Sequence, residues 1–97
     1  MNLTELNEEV QSLRNTVEEI GCNDYVADIV CDLSDNIGNI AEELNDDYID
    51  ESEAFDNANS ILEDSKDHAQ SILDLINPFF VVEIALLEKI ISYELTE

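Results

Sequence analysis

The sequence predicts an all-α fold, a small bundle of about four helices in one domain whose last helix is strongly apolar. Three observations carry that expectation. Apolar residues step by three and four almost from end to end, helix start and stop signals punctuate the stepping, and 44% of the residues are hydrophobic, enough for a real core. Ninety-seven residues make one such domain.

The first helix is expected over 3–20. Leu3, Leu6, Val10, Leu13, Val17 and Ile20 form an unbroken a/d stripe. Asn2 and Glu5 are spaced as a capping box, and Gly21 marks the end. The second helix is expected over 24–45, opening at Asn23 or Asp24, with Val26, Ile29, Val30, Leu33, Ile37, Ile40 and Leu44 on one face. Gly38 inside it weakens the helix by about 1 kcal/mol relative to Ala and lets a neighbouring helix come close.

The strongest loop is "NDDYID", residues 45–50. Asp50 with Glu53 starts a third helix, expected over 51–76. Phe55, Ala58, Leu62, Ser65, Ala69, Ile72 and Ile76 continue the stepping, with Ser65 the one polar member. In "INPFF", Asn77 is placed to cap and Pro78 to open a fourth helix over 78–95.

That last segment, "PFFVVEIALLEKIISYEL", is apolar around most of its circumference and carries charge only at Glu83, Glu88, Lys89 and Glu94. A helix apolar on all sides is buried, here either at the centre of the bundle or as the seam of a homodimer. The seam residues are Phe79, Phe80, Ile84, Leu87 and Ile91. The density of β-branched and aromatic residues in "FFVVEIALL" also suits a strand; the segment's length and its Pro start favour helix.

The charge is far from ordinary. Twenty-five Asp and Glu face three basic residues, Arg14, Lys66 and Lys89, for a net charge of −22, and no Lys or Arg lies between Asn15 and Ser65. Such a field repels nucleic acid and anionic membranes and attracts basic surfaces. The expected partner is therefore a basic nucleic-acid-binding protein, with no direct nucleic-acid or membrane binding. The N-terminus "MNLTELNEEV" is acidic and amphipathic, unlike a leader, and "FFVVEIALL" is too short to span a bilayer and holds Glu83. The expected location is the cytoplasm.

Catalytic and metal chemistry find no support. His68 stands alone on a polar stretch without a nucleophile motif. Two isolated glycines make no phosphate-cradling loop. "DDYIDESEAFDN" puts Tyr48 and Ala54 at calcium-ligand positions and lacks the sixth-position Gly. Glu63, Asp64 and His68 do not have the Glu-x-x-His spacing of a di-metal bundle. Cys22 and Cys31 would lie about 13 Å apart on one helix, too far for a disulfide, and read as small reduced apolar residues. Neither enzyme activity nor a cofactor is expected.

The carboxylates themselves are patterned. On a helical wheel Asp24, Asp28, Asp32, Asp35 and Glu42 fall within an arc of about 80°, opposite the apolar face. Like charges at this spacing repel by a few tenths of a kcal/mol per pair. Residues four apart rise about 6 Å, close to the separation of successive phosphates along a nucleic-acid strand. Spread over a bundle about 30 Å long, the net charge amounts to about one per 1.4 Å, against one per about 1.7 Å for duplex DNA. The first candidate row is Asp24, Asp28, Asp32, Asp35, Glu42 and Glu43; a second, around the turn, is Asp46, Asp47, Asp50, Glu51, Glu53 and Asp56.

In size, charge and helicity the chain resembles the phage-encoded DNA-mimic inhibitors of host defence nucleases, the Ocr-like anti-restriction and acidic anti-CRISPR classes. "YVADI", Tyr25 to Ile29, is similar to a Tyr-Tyr-Ala-Asp-Ile stretch in the Ocr class. The acidic C-terminal tail of that class is missing, so its mode of dimerising does not carry over. The resemblance implies an inhibitor that fills the DNA-binding cleft of a nuclease, acting in a host cytoplasm. Two other classes suit the same composition: an acidic helical chaperone or adaptor for a basic protein, and a structural coiled-coil subunit.

Overall fold

A computed structural model describes residues 1–96. Among them are four helices and no strand: α1 (Leu3–Ile20), α2 (Asp24–Asn45), α3 (Glu51–Leu73) and α4 (Val81–Ser92). Each helix packs mainly on its neighbour in the chain, α1 on α2, α2 on α3 and α3 on α4. The result is an up-and-down bundle measuring 44 × 24 × 18 Å.

The first three helix starts are the ones the sequence encodes. Asn2 Oδ1 accepts from the Glu5 amide at 2.9 Å while the Glu5 carboxylate accepts from the Asn2 amide at 3.2 Å, so the capping box forms in both directions. Asn23 Oδ1 accepts from the Tyr25 amide, and Asp50 Oδ1 from the Glu53 amide at 2.8 Å. Each cap satisfies an amide that has no partner within its own helix. Gly21 ends α1 with φ +64° while its amide still donates to the Val17 carbonyl. In the α2–α3 turn Asp47 takes φ +62°, a conformation Asp tolerates better than most residues.

The stripes meet along the bundle axis. Leu6, Val10, Leu13 and Val17 of α1 are buried, as are Val26, Ile29, Val30, Leu33, Ile37 and Ile40 of α2. Helix α3 contributes mostly small residues, Ala54, Ala58 and Ala69 around Leu62, which keep it close to its neighbours. The middle of the α1 heptad stripe, Leu6 to Val17, is thus used up inside its own chain, while Leu3 is half-buried and Ile20 exposed. The close approach expected at Gly38 is present: a Cβ there would lie 3.3 Å from Gln11 Nε2, which donates to the Ser34 carbonyl at 2.9 Å. Ser34 is fully buried, its hydroxyl donating to the Cys31 carbonyl, which is how a polar side chain sits there without loss.

Both ends of the last helix fall inside the range that periodicity suggests. Helix α3 stops at Leu73, not 76, and α4 starts at Val81, not 78. Asn77 does not cap α4. Its Oδ1 accepts from the Phe79 amide at 2.9 Å and its carbonyl from the Phe80 amide at 3.0 Å, closing a local turn around Pro78. Asn is biased away from helix by the following Pro, and this side-chain bond stabilises the turn instead. At the other end the helix stops at Ser92, not 95. Tyr93 is extended, Tyr93 and Leu95 point into the core, and Glu94 and Thr96 point out, the twofold alternation of an extended chain. The segment lies along the N-terminus: the Met1 ammonium donates to the Glu94 carbonyl at 3.0 Å, and the Thr96 amide to the Met1 carbonyl at 2.7 Å.

Helix α4 is not the central helix. Leu86, Leu87 and Ile90 enter the core, but Val81 and Val82 are exposed, and the helix rests on the bundle's edge with one side open. Of the five seam residues, Leu87 is core, Ile84 and Ile91 are half-buried, and Phe79 and Phe80 are outside.

Candidate acidic interaction face

The candidate face begins with α2, whose buried stripe fixes its orientation. With Val26, Ile29, Leu33, Ile37 and Ile40 inside, Asp24, Asp28, Asp32, Asp35, Glu42 and Glu43 are all exposed. The second row is exposed as well: Asp46, Asp47, Asp50, Glu51, Glu53 and Asp56 wrap the α2–α3 turn. Asp24 to Asp32 spans about 12 Å of helix in steps of about 6 Å.

Tertiary structure changes one member of the row. Arg14 of α1, twenty-one residues from Asp35 in the chain but on the adjacent helix, bonds Asp35 with Nη1. Its Nε also reaches Glu18 at 3.4 Å. The paired Asp35 carboxylate in turn strengthens the hold of the Arg14 guanidinium on its proton, pushing that pKa up. Lys66 approaches Glu63 at 3.7 Å and donates to the Tyr93 carbonyl at 2.9 Å; Lys89 approaches Glu9 at 3.8 Å. All three basic side chains are therefore occupied within the chain. Asp24, Asp28 and Asp32 have no basic partner among the described residues.

The bundle is polar along its length. One end holds the α2–α3 turn and the start of α1, dense in carboxylates. There a groove of about 800 Å³ is lined by Leu3, Leu44 and Phe55 beneath Asp50 and Glu51. The other end holds the α1–α2 loop and the α3–α4 linker. There Ile20, Tyr25, Leu75, Phe79, Val81 and Val82 stand in solvent. The sequence hinted at this apolar tip only through a last segment apolar at every angle.

Two shifted groups lie off the rows. Burial, reinforced by Glu9, pushes the Tyr93 hydroxyl well above the ordinary tyrosine range; the hydroxyl donates to Glu9 at 3.5 Å. Burial, with Glu83 nearby, also pushes the Cys22 thiol up, which makes it a poor nucleophile. His68 is exposed, as expected of a surface histidine, and both cysteines are free. Among the described residues no His, Cys, Asp and Glu gather with metal-ligand geometry, and no helix is long and apolar enough to cross a membrane.

The face therefore offers fixed negative charge in rows. Comparison with known protein families, with curated protein sequences and with solved structures returned no match.

Proposed function

We propose that this chain is a DNA mimic, an inhibitor whose carboxylate rows occupy the nucleic-acid-binding cleft of a basic DNA-binding protein. A host defence nuclease, restriction or CRISPR, is the first target to test. One observation carries the reading: the twelve patterned carboxylates are all exposed, and Asp24, Asp28 and Asp32 follow one another up α2 at phosphate-like steps without a neutralising partner among the described residues. Aspartate holds its charge close to the backbone on few rotatable bonds, so these positions are well defined. Fixed charges of this kind meet the Lys and Arg of a DNA cleft without reorganising. Association is then fast and steered by the field, and it weakens as salt rises.

The rival readings stand differently. A coiled-coil subunit needs an apolar stripe on its surface, and Leu6, Val10, Leu13 and Val17 of the α1 stripe lie in the core. An adaptor for a basic protein needs an apolar recognition surface beside its charge, and the tip favours that reading.

The test is displacement. Labelled duplex DNA is bound to purified restriction and CRISPR nucleases, and the chain is titrated in. Displacement is expected, with Asp28→Lys/Asp32→Lys weakening it about tenfold or more while the helical circular dichroism stays unchanged. A double variant that displaces DNA as well as the parent would overturn the role given to the α2 row.

A further inference from the structure

The tip opposite the acidic turn is built differently from the rest of the surface. Antiparallel packing brings the end of α1, the start of α2, the end of α3 and the start of α4 to one place. Leu75 and Phe79 are each 89% exposed and Tyr25 is 74% exposed. Ile20, Val81 and Val82 at the same end are exposed as well, and large exposed apolar side chains gathered in one region mark an interaction site. Beside them a groove of about 390 Å³ runs between α2 and α3, walled by Tyr25, His68, Ile72, Leu75 and Ile76.

We propose that this tip docks a cationic amphipathic segment of a partner protein. Its apolar side chains seat on Leu75, Phe79 and the groove, and its Lys or Arg side chains meet the rim. The rim selects the occupant. The charged residues bordering the apolar surface in sequence are Glu18 and Glu19, Asp24, Asp74 and Glu83, all acidic, with Glu83 buried. Among the described residues only Glu18 of these has a basic partner, Arg14. A segment with apolar residues flanked by positive charge matches surface and rim together. A second copy does not: a twofold contact would set the same acidic rims against each other, between chains that each carry −22. The proposal differs from the phosphate-mimic reading in resting on the apolar side chains of the tip, although Asp24 belongs to both the α2 row and the rim.

The probe is a labelled helical peptide of Leu and Lys, with a control in which Ser replaces each Leu. Binding to the full chain is read by fluorescence anisotropy at about 0.15 M salt. Phe79→Ser/Val82→Ser, and separately Leu75→Ser, are expected to weaken the Leu/Lys peptide about tenfold or more. The Ser/Lys control should bind parent and variants alike, because only charge holds it. Asp28→Asn/Asp32→Asn should leave the Leu/Lys affinity within about threefold, so a failure of the mimic reading, measured by DNA displacement, is a separate result. All these positions are exposed, and thermal melts check that the variants fold. Tip variants that bind the Leu/Lys peptide as the parent does would overturn the proposal. So would a parent that sediments as a dimer dissolved by Phe79→Ser, which would make the occupant a second copy.

Discussion

Arg14 of α1 holds Asp35 of α2, with Nη1 on the Asp35 carboxylate and a second contact from the guanidinium to the Ser34 hydroxyl at 3.4 Å. This pair ties the first two helices together and also removes one charge from the acidic row. The two roles pull in opposite directions, and one substitution separates them.

Arg14→Ala is expected to lower the melting temperature, more at low salt than at high, because an exposed ion pair is screened. The same change frees Asp35 and should tighten binding to a basic partner. Melting curves and DNA displacement on one variant check both signs. Weaker binding would show that Arg14 itself touches the partner.

The fold works against its own charge. Raising salt from about 0.01 M to 0.1 M shortens the screening length from about 30 Å to 10 Å. The melting temperature should therefore rise with sodium chloride, since repulsion among many carboxylates outweighs the few ion pairs that salt also weakens. A fall over that range would mean the ion pairs matter more than the repulsion.

Leu87 and Phe79 look alike in sequence, both in the apolar last segment, but one is core and the other is solvent-facing. Leu87→Ala is expected to destabilise by about 2–5 kcal/mol through lost burial and a cavity. Phe79→Ala should stay within about 0.5 kcal/mol. Denaturant unfolding of the two variants gives both values.

Tyr93 supplies a pH signature. Its hydroxyl is raised from the ordinary value of 10.0 by burial and by Glu9. The folded state therefore keeps the proton longer than the unfolded chain does. Stability from this group is complete below about pH 10 and falls as pH rises past it. Tyr93→Phe should remove that part of the alkaline loss. At neutral pH it should cost about 1 kcal/mol or less, because the bond to Glu9 is long. Urea melts between pH 8 and 11 distinguish the curves.

The sequence by itself determined the features that depend on near neighbours. Helix starts at Asn2, Asn23 and Asp50 and the stop at Gly21 are settled within a few residues, and they appear as spaced. The α2 row is solvent-facing because a strong apolar stripe leaves only one face for Asp24, Asp28, Asp32 and Asp35. The last segment lacked that information. Being apolar at every angle, it names no inner face, so periodicity could not separate Leu87 from Phe79 or end the helix at Ser92. Those choices were made by the other three helices, which left room for Leu86, Leu87 and Ile90, and by Met1, whose backbone holds Glu94 and Thr96 alongside. The Arg14–Asp35 contact and the apolar tip belong to the same class. Each joins residues distant in the chain, and only packing decides which distant residues meet.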